Sequence, residues 1–187
     1  MKLLDTTGGN TKIAKTQALT SGIRLAQLSL HPDNELCPGS KAAECIDDCL
    51  LYSGLAAVYD SVNEARARKS EFFKTDESGF LEQLRRELHN FLKLCAKLGL
   101  TPWVRLNVLS DVAWEKYGIP EEFPDLNLYD YTKRAARLLK VPSNYHLMFS
   151  YSGASKYHNQ VLKAFEVGVP IAAVFRGPMP ETFLGRE

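Results

Sequence analysis

Residues 103–111 read WVRLNVLSD, an apolar run with polar residues spaced through it that ends on Ser110-Asp111. Three later stretches repeat the form: LNLYDYTK at 126–133, YHLMFSYS at 145–152 and VPIAAVFRG at 169–177. Each has the length and the branched and aromatic content of a strand, and helical or irregular connectors separate them. TKRAARLLK at 132–140 and KYHNQVLKAFEVG at 156–168 are the clearest of the intervening helices. Strands alternating with helices imply right-handed crossovers and a parallel sheet.

Working outward, IRLAQLSL at 23–30 follows Ser21-Gly22, ends at His31-Pro32 and reads as the first strand. Residues 1 to about 20 are its lead-in. A helical pattern runs from about Cys45 to Lys74, broken near Ser53-Gly54, and DSVNEARARKSEFF at 60–73 carries charges suited to a solvated face. The firmest element is an amphipathic helix from about Ser78 to Leu98, with Phe80, Leu81, Leu84, Leu88, Phe91, Leu92 and Cys95 on one stripe and Gly99 as its stop. Cys95 is thus a core thiol.

Alternation along the strands predicts one polar face. Gln27, Ser29, Arg105, Asn107, Asp111, Asp130, Thr132, His146, Ser150, Ser152 and Arg176 share it, and Leu, Val, Phe and Tyr fill the other. Sheets covered by helices on both sides are apolar on both faces, so a polar face predicts a barrel-like sheet around a wet cavity. An eight-unit barrel takes about 250 residues, and 187 residues supply roughly five strands of one. The expected fold is a single α/β domain over 1–187, a partial (β/α) barrel of parallel strands. The end at FLGRE has no capping pattern, so the natural chain is expected to continue past Glu187.

An apolar fraction of 45% with 24% charged residues excludes a wholly disordered chain. With 23 basic against 22 acidic residues, no overall charge draws the chain to nucleic acid or membrane. The opening lacks the apolar core of a secretory signal, and no apolar stretch approaches the ~20 residues a spanning helix needs. A cytoplasmic protein without a membrane partner is expected.

Cys37, Cys45 and Cys49 fall in CPGSKAAECIDDC, between the first strand and the helical region. In a reducing compartment they stay thiols, and thiols gathered at a strand-to-helix turn suit a soft metal or an iron–sulfur cluster. Three ligands leave a coordination position for something else. The spacing C-x7-C-x3-C is not a zinc-ribbon pattern. A 4Fe–4S cluster is therefore the first reading; zinc with His31 as fourth ligand, and bare thiols, are the alternatives.

In parallel α/β folds ligands sit at the carboxyl ends of the strands. A small molecule there would be oriented by Arg105, Asn107, Asp111, Lys133 and Ser150, with Arg176 pairing an anionic group. As ordinary caps, Asp111 and Thr132 would need no ligand. A non-enzymatic alternative is a metal-stapled module that binds nucleic acid or a host protein through Lys12, Lys15, Arg66, Arg68 and Lys69. The glycines at 8–9 with Lys12 and Lys15 lack phosphate-loop spacing. His89, His146 and His158 stand in no triad-like order, and Trp103 and Trp114 read as packing residues.

The opening TTGGNTKIAK, the cysteine loop, VNEARARKSEFF, VRLNVLSDVAWE, FPDLNLYDYTK, NYHLMFSYS, IAAVFRG and PETFLG, in that order, resemble the phage gene-product-88-like family of uncharacterised proteins. The resemblance implies a phage accessory protein in the host cytoplasm, carrying a cluster, and no particular activity. More distantly, a cysteine cluster after the first strand of a partial barrel is similar to the radical S-adenosylmethionine enzymes. In those, three cysteines spaced C-x3-C-x2-C hold a four-iron cluster whose free iron takes the cofactor's amino and carboxylate groups. That resemblance implies S-adenosylmethionine as the cofactor.

Overall fold

The computed structural model describes residues 1–6, 17–26, 36–46, 49 and 58–185. Its longest helix begins where Asp76 accepts the Gly79 N–H at 2.9 Å, satisfying a free donor of the first turn. It ends at Gly99, whose φ of 66° is the left-handed closure that glycine adopts freely. Between them helix α2 (Glu77–Leu98) buries Phe80, Leu81, Leu84, Leu88, Phe91 and Cys95, the predicted stripe. Each fully buried Leu or Phe contributes about 1.5–3 kcal/mol relative to exposure, so this stripe anchors the helix. Helix α1 (Asp60–Thr75) precedes it, and Phe73 meets Phe80 edge-on at 4.9 Å.

The strands β1 (Leu4–Thr6), β2 (Ala18–Ile23), β3 (Thr101–Arg105), β4 (Asn127–Thr132), β5 (Tyr145–Ser150) and β6 (Ile171–Ala172) form one six-stranded sheet in chain order. β1 runs antiparallel to β2, and β2 to β6 are parallel. The parallel sheet is as expected. β1 is the strand beyond the five expected, and it comes from the lead-in. Helices α3 (Ile119–Glu122) and α4 (His158–Val167) are the remaining α-helices among the described residues.

Several boundaries differ from the sequence reading. β2 ends at Ile23, where the first strand was expected to begin, and residues 27–30 lie outside those described. Its register with β3 needs Gly22, because a Cβ there would meet the Arg105 carbonyl oxygen at 2.9 Å. β3 stops at Arg105 rather than running to Asp111. Residues 132–140 form only a single helical turn, Ala135–Leu138, because Arg137 turns inward to Asp111 and Glu115.

The predicted polar face is corrected by the register. Val104 pairs with Leu128, Leu128 with Tyr145, Asp130 with Leu147 and Thr132 with Phe149. Asp130 and Thr132 therefore lie on the buried face, among Val104, Leu128, Leu147 and Phe149. Arg105, His146 and Ser150 alternate onto the opposite face, where Trp103 meets Tyr129 at 5.9 Å and His146 at 5.4 Å. Polarity alone had merged two faces that strand pairing separates. Among the described residues, no helix is long and apolar enough to cross a membrane.

Candidate functional site

The loop carrying Cys37 and Cys45 is tied to the carboxyl ends of three strands. Asp111 N donates to the Leu36 carbonyl at 2.7 Å, which joins the loop to the segment after β3. Ser152 Oγ, just past β5, donates to the Ala43 carbonyl at 2.8 Å. Gly39, at φ 97°, lies against the residue after β4: a Cβ there would stand 3.2 Å from Lys133 Cβ. Within the loop, Ala43 N donates to the Gly39 carbonyl at 2.9 Å and Cys45 N to the Ser40 carbonyl at 3.2 Å. Ser40 Oγ is buried without a hydrogen-bond partner.

All four cysteines are free thiols; Cys37, Cys45 and Cys49 are half-buried and Cys95 is buried in the core. Burial chiefly, then Asp111, Cys45 and Cys49, push the Cys37 thiol up to about 12, while Lys133 pulls it down. Cys45 and Cys49 therefore each lie within electrostatic reach of Cys37. Among the described residues, no group of three or more Cys, His, Asp or Glu side chains is gathered to hold a metal ion. His31, the candidate fourth zinc ligand, lies outside the described residues, as do Lys12 and Lys15.

Lys133 sits at the centre of the site. Its ammonium donates to the carbonyls of Ser150 at 3.2 Å and Tyr151 at 3.4 Å and lies 5.5 Å from the Tyr157 ring centroid. Burial lowers its pKa, opposed by Cys45, Cys37 and Asp111. Tyr157 donates to the Lys133 carbonyl at 2.7 Å and stacks on Phe149 at 5.6 Å, and burial pushes its phenol upward. A surface hollow of about 900 Å³ opens beside Ser152, bounded by Tyr151, Ser155, His158, Leu162 and Leu184.

Asp111, 2% exposed, accepts from Thr132 Oγ1 at 2.8 Å, from Lys133 N at 3.0 Å and from Arg137 Nη1. Arg137 also grips both Glu115 oxygens at 2.8 Å, and although burial opposes its charge, Glu115, Tyr145 and Asp111 raise its pKa. Asn107 is buried and wholly engaged. Its Oδ1 accepts from Ser110 Oγ at 2.9 Å, Val112 N at 2.9 Å and Trp114 Nε1 at 3.0 Å, and its Nδ2 donates to the Val112 carbonyl at 2.9 Å and Asp130 at 3.2 Å.

The predicted residues thus separate. Cys37, Cys45, Asp111 and Lys133 converge, the Ser150 carbonyl holds the Lys133 ammonium, and Cys49 lies within electrostatic reach. Asn107 supports them from behind. Arg105 lies over the Tyr131 ring at 4.9 Å on the opposite sheet face, 3.8 Å from Asp130. Arg176 is exposed beyond β6. Arg66 and Lys69, expected on a solvated face, are buried, and Arg68 pairs with Glu64 at 3.6 Å. Sequence reading missed Tyr157, Arg137 and Glu115, whose only signal was polar residues recurring near strand ends.

This arrangement defines a mixed α/β protein with a thiol-bearing loop fastened over the carboxyl ends of a largely parallel sheet. A family model described as gene product 88 matches residues 1–185, and the chain belongs to that phage family. Neither a curated protein nor a solved structure matches it.

Proposed function

We propose that this phage protein binds an iron–sulfur cluster through Cys37, Cys45 and Cys49, at the mouth of a partial (β/α) barrel, and uses it in redox chemistry on a small ligand. What supports this reading is that Cys37 and Cys45 lie within electrostatic reach of each other and of the Lys133 cation, with Cys49 in reach of Cys37. Soft thiolates at this number and softness suit a 4Fe–4S centre with one iron position open. A cluster so held supplies electrons one at a time.

The remaining roles belong to the chain itself. Cys37 must give up its proton to become a ligand, and Lys133 offsets the negative charge that follows. Asp111 and Ser152 hold the loop in place. The hollow beside Ser152, which bonds the cysteine loop at Ala43, offers a ligand room, and S-adenosylmethionine is the first ligand to test because an open cluster position could take its amino and carboxylate groups. The binding-module alternative is weakened by the burial of Arg66 and Lys69.

Anaerobic reconstitution with iron and sulfide tests the proposal. The expected result is a broad visible absorbance with stoichiometric iron and sulfide, lost in Cys37→Ser, Cys45→Ser and Cys49→Ser. Cleavage of S-adenosylmethionine by the reduced protein then decides the cofactor. Zinc in the purified protein, with no visible band after reconstitution, would replace the redox reading with a structural staple.

A further inference from the structure

Among the described residues between β1, β2 and the facing side of α1, the carboxylate of Asp5 is shared by two cations and a third has no ion pair. Arg24 follows β2, and Arg66 and Lys69 lie one turn apart on α1. Asp5 of β1 takes Arg24 Nη1 at 3.3 Å and Lys69 Nζ at 3.1 Å, and Lys69 also donates to the Leu3 carbonyl at 3.0 Å. Arg66 is left over. It is 9% exposed, its Nη1 reaches Asn63 Oδ1 at 3.1 Å, and its Nε is buried without a hydrogen-bond partner. Among the described residues no acidic side chain forms an ion pair with it.

A buried guanidinium cannot escape this position by losing its proton at any ordinary pH. Left unpaired it is strongly unfavourable, and the fork of N–H donors matches a phosphate or a carboxylate. Burial and Arg24 both weaken the Arg66 charge, while Cys49 and Asp5 support it without an ion pair to either.

We propose that Arg66, with Arg24 beside it, is the binding site for an oxyanion, the phosphate or carboxylate of a small ligand. The oxyanion requires no cluster.

Thermal unfolding of the full chain, with chloride replaced by inorganic phosphate or by acetate at constant ionic strength, tests it. At about ten times the dissociation constant, the wild type should gain roughly 3 °C or more in Tm. Arg66→Met should lose that gain yet unfold in chloride at the wild-type temperature or above, since removing a buried unpaired charge is neutral or stabilising. Arg66→Lys should keep part of the gain. Cys49→Ser should keep all of it while failing to take up iron, which separates this site from the cluster. The preference between phosphate and acetate tells a tetrahedral from a planar ligand group. No gain in the wild type with either anion, or equal gains in wild type and Arg66→Met, would overturn the proposal.

Discussion

Asp130 shows how one side chain can set a pH response. Burial drives its carboxyl up to about 7, even though Tyr145, Asn107, Arg105 and Arg137 all favour the charged form. The unfolded chain releases this proton near the ordinary aspartate value of 3.8, so between that value and about 7 the folded state holds more protons than the unfolded one. Stability contributed by Asp130 is therefore full below about pH 4 and declines as the pH rises toward 7. The shift corresponds to about 4 kcal/mol, at 1.36 kcal/mol per unit. In urea unfolding at a series of pH values, the stability of wild type minus that of Asp130→Asn should fall by an amount of that order between pH 4 and 7. A flat difference would mean that the carboxylate is charged throughout.

At the scale of elements, the cysteine loop depends on Gly39, where a positive φ and the nearby Lys133 Cβ combine. Gly39→Ala adds left-handed strain, about 1–2 kcal/mol per residue, to a tight contact. The expected outcome is a stability loss of about 1–2 kcal/mol in chemical denaturation and weaker iron uptake, with the sheet intact by circular dichroism. The elements also divide by how well the chain announces them. Helix α2 was legible because six apolar positions recur at helical spacing between a capping Asp76 and a closing Gly99. The strands from β3 to β6 were legible in place but not in extent. β3 ends early because the Asn107 amide is spent on its own loop, and no local pattern reports a side chain that bonds five and seven residues ahead. The inward turn of Arg137 was hidden for a related reason: arginine in an amphipathic run normally marks the solvent side.

Over the whole molecule, the sheet is closed at one side by β1, a strand of three residues too short to leave a periodic signature. Glu87 of α2 fastens it, accepting Leu3 N at 2.9 Å and Leu4 N at 2.7 Å, so the longest helix and the first residues stabilise each other. Glu87→Ala should cost about 1.5–3 kcal/mol, the range for hydrogen bonds to a charged group. Hydrogen exchange should show the amides of Leu3 and Leu4 losing protection before those of β4 and β5. The candidate site was legible as a set of chain positions, since the cysteines, Asp111 and Lys133 all fall in segments that follow strands in the chain. Its second face was not, because alternation assigns sides within a strand and only register carries them from one strand to the next.

The ties from Leu36 to Asp111 and from Ala43 to Ser152 have a consequence for how the protein opens. Here the scaffold moulds the loop, unlike small metal-nucleated domains that stay unfolded until their ion arrives. A chain that folds around these ties holds Cys37 and Cys45 against the strand ends by its own hydrogen bonds, so the loop and the sheet should open together rather than one after the other.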